Sequence, residues 1–339
     1  MTDEPSSDAH KGHVQGPLPR VIRLGIIAAS LLVAFGAALL VLSFGHGRDQ
    51  SIYTLVAREV LDGRMPYRDA FDFKPPGIFL VYAVGRLLSG ASPVGIRAVE
   101  VVAMLANAAA LLRLAKRELG DEIIGWIAAA FACGIHAQLD FWHTGQPETF
   151  GGPLGLWAIV LACEAGRAEG AGRRVRLLLT VGLLCGLAGL MKPPLVGTAP
   201  VAALLASWIH DVRARGATGE ARTLLQRLRP AVGALAWVAL GSIAPIAATA
   251  LWFATKGALG DLYQVLFVFT PQYTKIGWEG SNPIRMVYHG FVEWLTVYSS
   301  AILVGMILTA IVPWPKRMRP LLVALLAMCS VHVLSLIHI

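Results

Sequence analysis

The sequence predicts an all-α fold, a polytopic bundle of transmembrane helices. Three observations predict it. The 339 residues are 56% hydrophobic and 15% charged, with a mean hydropathy of +0.62, whereas a soluble domain carries roughly 25% charged residues. Apolar runs long enough to cross a ~30 Å hydrocarbon core recur along the whole chain. The basic residues gather in short segments between those runs, as in cytoplasmic loops. That placement also explains the net charge of +8 without nucleic acid as a partner.

Residues 1–20 are polar and are expected to form a disordered cytoplasmic tail. The run Val21–Phe44 is too long for a signal peptide and has no small-residue cleavage site, so it reads as the first span. The basic segments 113–122, 166–176, 211–230 and 313–320 are assigned to the cytoplasm. Between them lie apolar runs at 94–112, 123–139, 147–164, 177–191, 194–209, 231–254, 291–312 and 321–339. The four cysteines, Cys133, Cys163, Cys185 and Cys329, all fall within such runs and read as small buried hydrophobes. Residues 21–339 are taken as one membrane domain. Because "LSLIHI" (Leu334–Ile339) stops inside an apolar run, the natural chain is expected to continue.

Counting crossings from these loops leaves residue 45 and residue 92 on the same, non-cytoplasmic side. The apolar stretch Pro76–Leu88 between them therefore does not cross. Its length agrees, since such a helix spans only about 20 Å. It is expected to be interfacial or re-entrant. Upstream, "DQSIYTLVAREVLDG" (49–63) places Ile52, Leu55, Val56 and Val60 on one face, with Gly63 as the stop, and predicts an amphipathic helix on the bilayer surface. Long loops in membrane proteins tend to hold sites, and the external loop 45–93 is both long and rich in balanced charge.

The residues of this loop resemble the GT-C superfamily of integral-membrane glycosyltransferases, chiefly the bacterial protein O-mannosyltransferases and the aminoarabinose transferases of lipid A. The resemblance rests on Asp49 just after the first span, Tyr53 four residues on, Gly63, the run Pro66–Asp69, and Lys74-Pro75-Pro76 opening a juxtamembrane helix. It is specific across 45–115 and loose to about 210. It implies a GT-C-like fold and inverting transfer from a polyprenyl-phosphate-linked sugar, with Asp49 as the catalytic base and no soluble cofactor; a divalent metal is left open. Lys74 and Arg58 are the nearest cations for the leaving phosphate. One departure stands out: many relatives have Asp-Glu where this chain has Asp49-Gln50.

A second acid is expected in the turn "HAQLDFWHTGQPETF" (136–150), with Glu148 preferred by position and Asp140 as its rival for orienting the acceptor. Lys192, in "GLMKPPLVG" (189–197), is costly in a span unless paired, and is a candidate for the lipid phosphate. Tyr53, Tyr273 and Arg285, with Tyr263 and Trp278, are candidates to line or cap an acceptor groove.

Each candidate has a plainer reading. Asp49 serves as an N-cap, Lys74 as a snorkelling lysine, Arg58 as a helical partner of Asp62, and Glu148 as a helix-start acid. Lys192 serves as an interface anchor and the aromatics as an interfacial belt. His136, Asp140, His143 and Glu148 can be drawn as a metal cluster, but nothing else in the sequence has ligand spacing, and no metal site is assigned.

The expected enzyme is thus a multi-pass protein of the inner (plasma) membrane. Its active site faces the periplasm or exterior, and its acceptor is a lipid, glycan or protein. The rival class is a transporter or flippase of lipid-linked sugars, which would place its ionisable groups near the bilayer midplane.

Overall fold

The computed structural model describes residues 18–218, 223–277 and 318–336, with Asn282, Ile284, Arg285, Tyr288, His289 and Val292. In chain order the helices are α1 (Arg20–Leu42), α2 (Arg48–Leu61), α3 (Pro76–Ser89), α4 (Val94–Leu114), α5 (Glu122–Gln138), α6 (Asp140–His143), α7 (Pro147–Arg167) and α8 (Ala171–Met191). They continue with α9 (Thr198–Thr218), α10 (Leu224–Thr255), α11 (Leu259–Tyr263), α12 (Thr270–Gly277) and α13 (Arg319–Leu336). A π-helical turn, Ala115–Leu119, extends α4, and a 3₁₀ turn, Pro193–Gly197, leads into α9. Among the described residues there is no sheet, only an isolated bridge between Pro66 and Ala70.

Six helices among the described residues are long and apolar enough to cross a membrane, namely α1, α4, α7, α8, α9 and α10. The predicted run 291–312 and Trp278 lie outside the described residues, Val292 apart. These six helices alternate in direction once α5, an apolar helix of 17 residues, is counted with them. α1 packs along α5, α5 along α4, α7 along α8 and α9, and α8 along α10. The ends Leu42, Val94, Gln138, Pro147, Met191 and Thr255 consequently share one end of the bundle.

α2 and α3 belong to that end. Proline at N1 of α3, with Pro75 as its N-cap, fixes where the helix starts, because a missing N–H costs nothing there. The start of α3 rests on the last turn of α8: a Cβ on Gly77 would lie 2.6 Å from the Leu190 carbonyl oxygen. Its last turns rest on the start of α4, where a Cβ on Gly85 would lie 2.8 Å from Ile96 Cα. Both ends of α3 thus meet the same end of the bundle, as the crossing count requires of a helix that does not span. Tyr53, Val56 and Ala57 of α2 pack with Ile78, Phe79 and Tyr82 of α3, and with Phe150, Met191 and Leu195, in one apolar cluster. This core carries the loop between α2 and α3.

Candidate active site

Asp49 is the second residue of α2, and the N-cap is Gly47. The cap N–H is taken by Gln50, whose Oε1 accepts from Gly47 N at 2.6 Å. The capping role is therefore filled without Asp49. Its carboxylate is 41% exposed, 3.6 Å from the outward-facing Arg48 Nε, and near enough to Tyr53, Asp72 and Tyr82 for its charge to be felt there.

The "PYRD" run turns out to be a buttress. Asp69 Oδ2 accepts from Met65 N at 2.7 Å, and Tyr67 N donates to Ala70 O at 2.8 Å, so the segment closes on itself. Tyr67 sits at φ 71°, a conformation a bulky residue adopts only when its surroundings dictate it. Here they do. The ring stacks on Phe253, with centroids 5.7 Å apart, and the hydroxyl donates to the Lys74 carbonyl at 2.7 Å. The backbone of Lys74 is held in this way. Its Nζ lies 4.7 Å from the centre of the Phe73 ring, and its charge acts on Asp72, Glu148 and Lys192.

Asp72, two residues before Lys74, was not singled out by sequence reasoning beyond its charge. It is 7% exposed. Oδ1 accepts from Phe73 N at 2.7 Å, while Oδ2 is buried with no hydrogen-bond partner. Burial pushes its carboxyl above the ordinary Asp range and the Asp49 charge adds to the rise, while the Phe73 N–H and Lys74 oppose it. The folded chain keeps the Asp72 proton to higher pH than the unfolded chain does. Stability is accordingly lost as pH rises from the unfolded value of about 3.9 through the raised one. Asp72→Asn removes that loss. Its thermal midpoint is expected to exceed that of wild type at neutral pH and to converge with it near pH ~4; a gap that does not change with pH would contradict the assignment.

The third part of the site is an ion pair between a buried lysine and a partly buried glutamate. Lys192 follows α8 and Glu148 opens α7, and Lys192 Nζ lies 2.5 Å from Glu148 Oε1. Glycines permit this approach. Besides the contact of Gly77 with Leu190, a Cβ on Gly151 would lie 3.4 Å from Met191 Cβ and 2.4 Å from Leu195 Cδ1. The end of α8 is thereby seated between α3 and α7. Gly77→Val is expected to push α8 off α3, at a cost of about 1–3 kcal/mol. Thermal unfolding checks this, and an unchanged midpoint would show that the contact is slack.

Behind these groups lies a network that sequence reasoning missed. Arg97 and Glu100, on the first turns of α4, are 1% and 0% exposed and pair at 2.6 Å. Arg97 also donates to Thr144 Oγ1 at 3.0 Å, Gly45 O at 2.6 Å and Gln50 Oε1 at 3.0 Å. Glu100 accepts from Gly145 N at 2.9 Å and meets His136 Nε2 at 2.7 Å. Gln50 Nε2 donates to Phe141 O at 2.5 Å and also to Thr144 O. Tyr82 donates to Gly145 O at 2.8 Å. Two turns, 43–47 and 139–146, are thus bolted to α4. The clue in the sequence was a charged i,i+3 pair inside an apolar run.

The remaining candidates are placed elsewhere or otherwise engaged. Arg58 is half a turn around α2 from Asp49 and pairs with the buried Glu59 at 2.7 Å, rather than with Asp62 or at the site. Tyr53 is 1% exposed; its hydroxyl donates to Gln146 Oε1 at 3.2 Å and its ring packs edge-on to Tyr82. Asp140, at φ 61°, shapes the single turn α6 by accepting from Trp142 N at 2.7 Å. Tyr273 leans on Phe73 with ring centroids 4.9 Å apart, next to Lys74. Arg285 is exposed and bonds His289. Among the described residues, no group of three or more His, Cys, Asp or Glu side chains is arranged to hold a metal ion.

The site therefore consists of an accessible carboxylate, a buried carboxyl of raised pKa, a lysine beside it, and a pair of buried lysine and partly buried glutamate, all at one end of the bundle. Residues 73–221 match the family model described as "Dolichyl-phosphate-mannose-protein mannosyltransferase". The match takes in Lys74, Arg97, Glu100, Glu148 and Lys192, and leaves Asp49 and Asp72 just ahead of it. No curated protein and no solved structure is significantly similar to the chain.

Proposed function

We propose that this chain, a GT-C-type polytopic membrane glycosyltransferase related to the dolichyl-phosphate-mannose-protein mannosyltransferases, moves a sugar with inversion from a polyprenyl-phosphate donor to an acceptor hydroxyl. The observation that carries the reading is the convergence of Asp49, Asp72, Lys74, Glu148 and Lys192 at one end of the bundle, beside two juxtamembrane helices. A transporter would hold such groups near the midplane.

In this reading Asp49 takes the proton of the acceptor hydroxyl as that oxygen attacks C1 of the sugar. The C1–oxygen bond to phosphate breaks, and polyprenyl phosphate leaves with the electron pair. Lys74 faces the charge that develops on the phosphate, and Lys192, held in place by Glu148, supports it. Asp72, whose carboxyl burial pushes above the ordinary Asp range, feels the charges of both the base and the lysine. The transfer as proposed runs without a soluble cofactor. The opposite end of the bundle carries Arg113, Lys116, Arg117, Arg167, Arg173 and Arg174. This supports a cytoplasmic position for that end, and a periplasmic or extracellular one for the site, in the plasma membrane. The acceptor is a hydroxyl of a protein, lipid or glycan.

The test is direct. The purified protein in lipid nanodiscs is given polyprenyl-phosphate mannose and a serine-containing peptide or a glycan acceptor, and released polyprenyl phosphate is measured. Wild type is expected to turn over, and Lys74→Met to lose about 100-fold, the scale of removing one charge-stabilising group. Absence of release across a panel of lipid-linked sugars and acceptors would overturn the reading.

A further inference from the structure

At the other end of α4 and α7, a cavity of about 150 Å³ is lined by Arg113, Arg117, Glu118, Glu164, Arg167 and Arg173. Arg113 Nε donates to Glu164 Oε1 at 2.7 Å, and Arg167 Nη1 donates to Glu118 Oε1 at 2.5 Å with a second, parallel bond from Nη2 to Oε2. These two pairs balance one another and hold their guanidinium groups in fixed positions. Arg117 and Arg173 are exposed, and among the described residues neither has a carboxylate within ion-pair distance. Four arginines against two glutamates leave the cavity two positive charges in excess.

Its depth narrows what would neutralise that excess. The cavity lies at the ends of spans, one helix length or about 30 Å from the candidate active site, where lipid headgroups sit. Basic pockets between transmembrane helices on the cytoplasmic side suit phosphate headgroups, and a guanidinium offers the paired donors that a phosphate oxygen accepts. The carboxylates of Glu118 and Glu164 are already covered by Arg167 and Arg113, so they present little free charge to repel an anion. We propose that this cavity binds the phosphate of an anionic phospholipid headgroup on the membrane face opposite the site. The proposal stands independently of the transferase reading.

The full chain, delipidated in detergent, is mixed with phosphatidylglycerol or phosphatidylcholine, and bound lipid is counted by native mass spectrometry. Wild type is expected to retain phosphatidylglycerol selectively. The double variant Arg117→Ala/Arg173→Ala, altered only at exposed side chains, is expected to bind it about 30-fold more weakly, from the per-arginine attraction of anionic headgroups. Equal retention of the two lipids, or unchanged phosphatidylglycerol binding by the double variant, would overturn the proposal. So would displacement of the lipid by inorganic phosphate, which would assign the cavity to a soluble anion.

Discussion

Asp49→Asn is expected to lower the release of polyprenyl phosphate by at least about 100-fold, the scale of removing a general base, and to leave the thermal midpoint unchanged. The two halves of that expectation come from the same geometry. Gly47 and Gln50 close the start of α2 without help from Asp49, so no cap is lost. Among the described residues, the cation within ion-pair distance of its carboxylate is Arg48, whose side chain is 84% exposed, and such pairs contribute little to stability. An amide of the same shape therefore removes the charge and the ability to take a proton but leaves the start of α2 closed. Asp72→Asn is the control that separates the two acids. Asparagine mimics the neutral form that burial favours in Asp72, which has no base role in this reading, so this variant should retain far more activity than Asp49→Asn. The reverse order would make Asp72 the base, and equal, full activity of both would leave the transferase chemistry without its proton acceptor.

Much of this frame was legible because hydrophobic period and charge placement act locally. The amphipathic helix expected at 49–63 is α2, Arg48–Leu61, and the short apolar helix expected at Pro76–Leu88 is α3, Pro76–Ser89. Gly63, Pro75 and Gly90 punctuate both. The spans α4, α7, α8, α9 and α10 follow the predicted runs, since in lipid an apolar segment of that length has few alternatives to a helix. What the sequence hid is what burial decides. Asp72 looked like one more charge in a balanced loop, but the fold takes it out of water, to 7% exposure. Arg58 looked free to serve a phosphate; helix geometry turns it away from Asp49, and Glu59 holds it. Apart from Glu100, the partners of Arg97 lie 44 to 52 residues away in sequence, beyond any local pattern.

That distant network sets the other large effect. Arg97→Met is expected to cost about 3–5 kcal/mol, the usual penalty for removing one partner of a buried ion pair. Glu100, with 0% exposure, would keep only His136 and the Gly145 N–H, and the carbonyl of Gly45 would lose its donor. Because the same bonds tie the turns 43–47 and 139–146 to α4, the loss should reach the start of α2, where Asp49 sits. The double variant Arg97→Met/Glu100→Leu should recover part of the stability, since no buried charge is then stranded, yet recover none of the ordering of the turns. Gln50 marks the same point from another side. Its amide nitrogen serves two carbonyls while its oxygen serves Arg97 and Gly47, and a carboxylate has no donor for Phe141 O or Thr144 O. Where relatives carry Asp-Glu, this chain has thus built the second position into its scaffold, and Gln50→Glu should destabilise it rather than restore an acid. Thermal unfolding of the three variants in nanodiscs measures all of this. A midpoint for Arg97→Met within error of wild type would mean the turns are held by something else, and the positioning assigned to this network would fall.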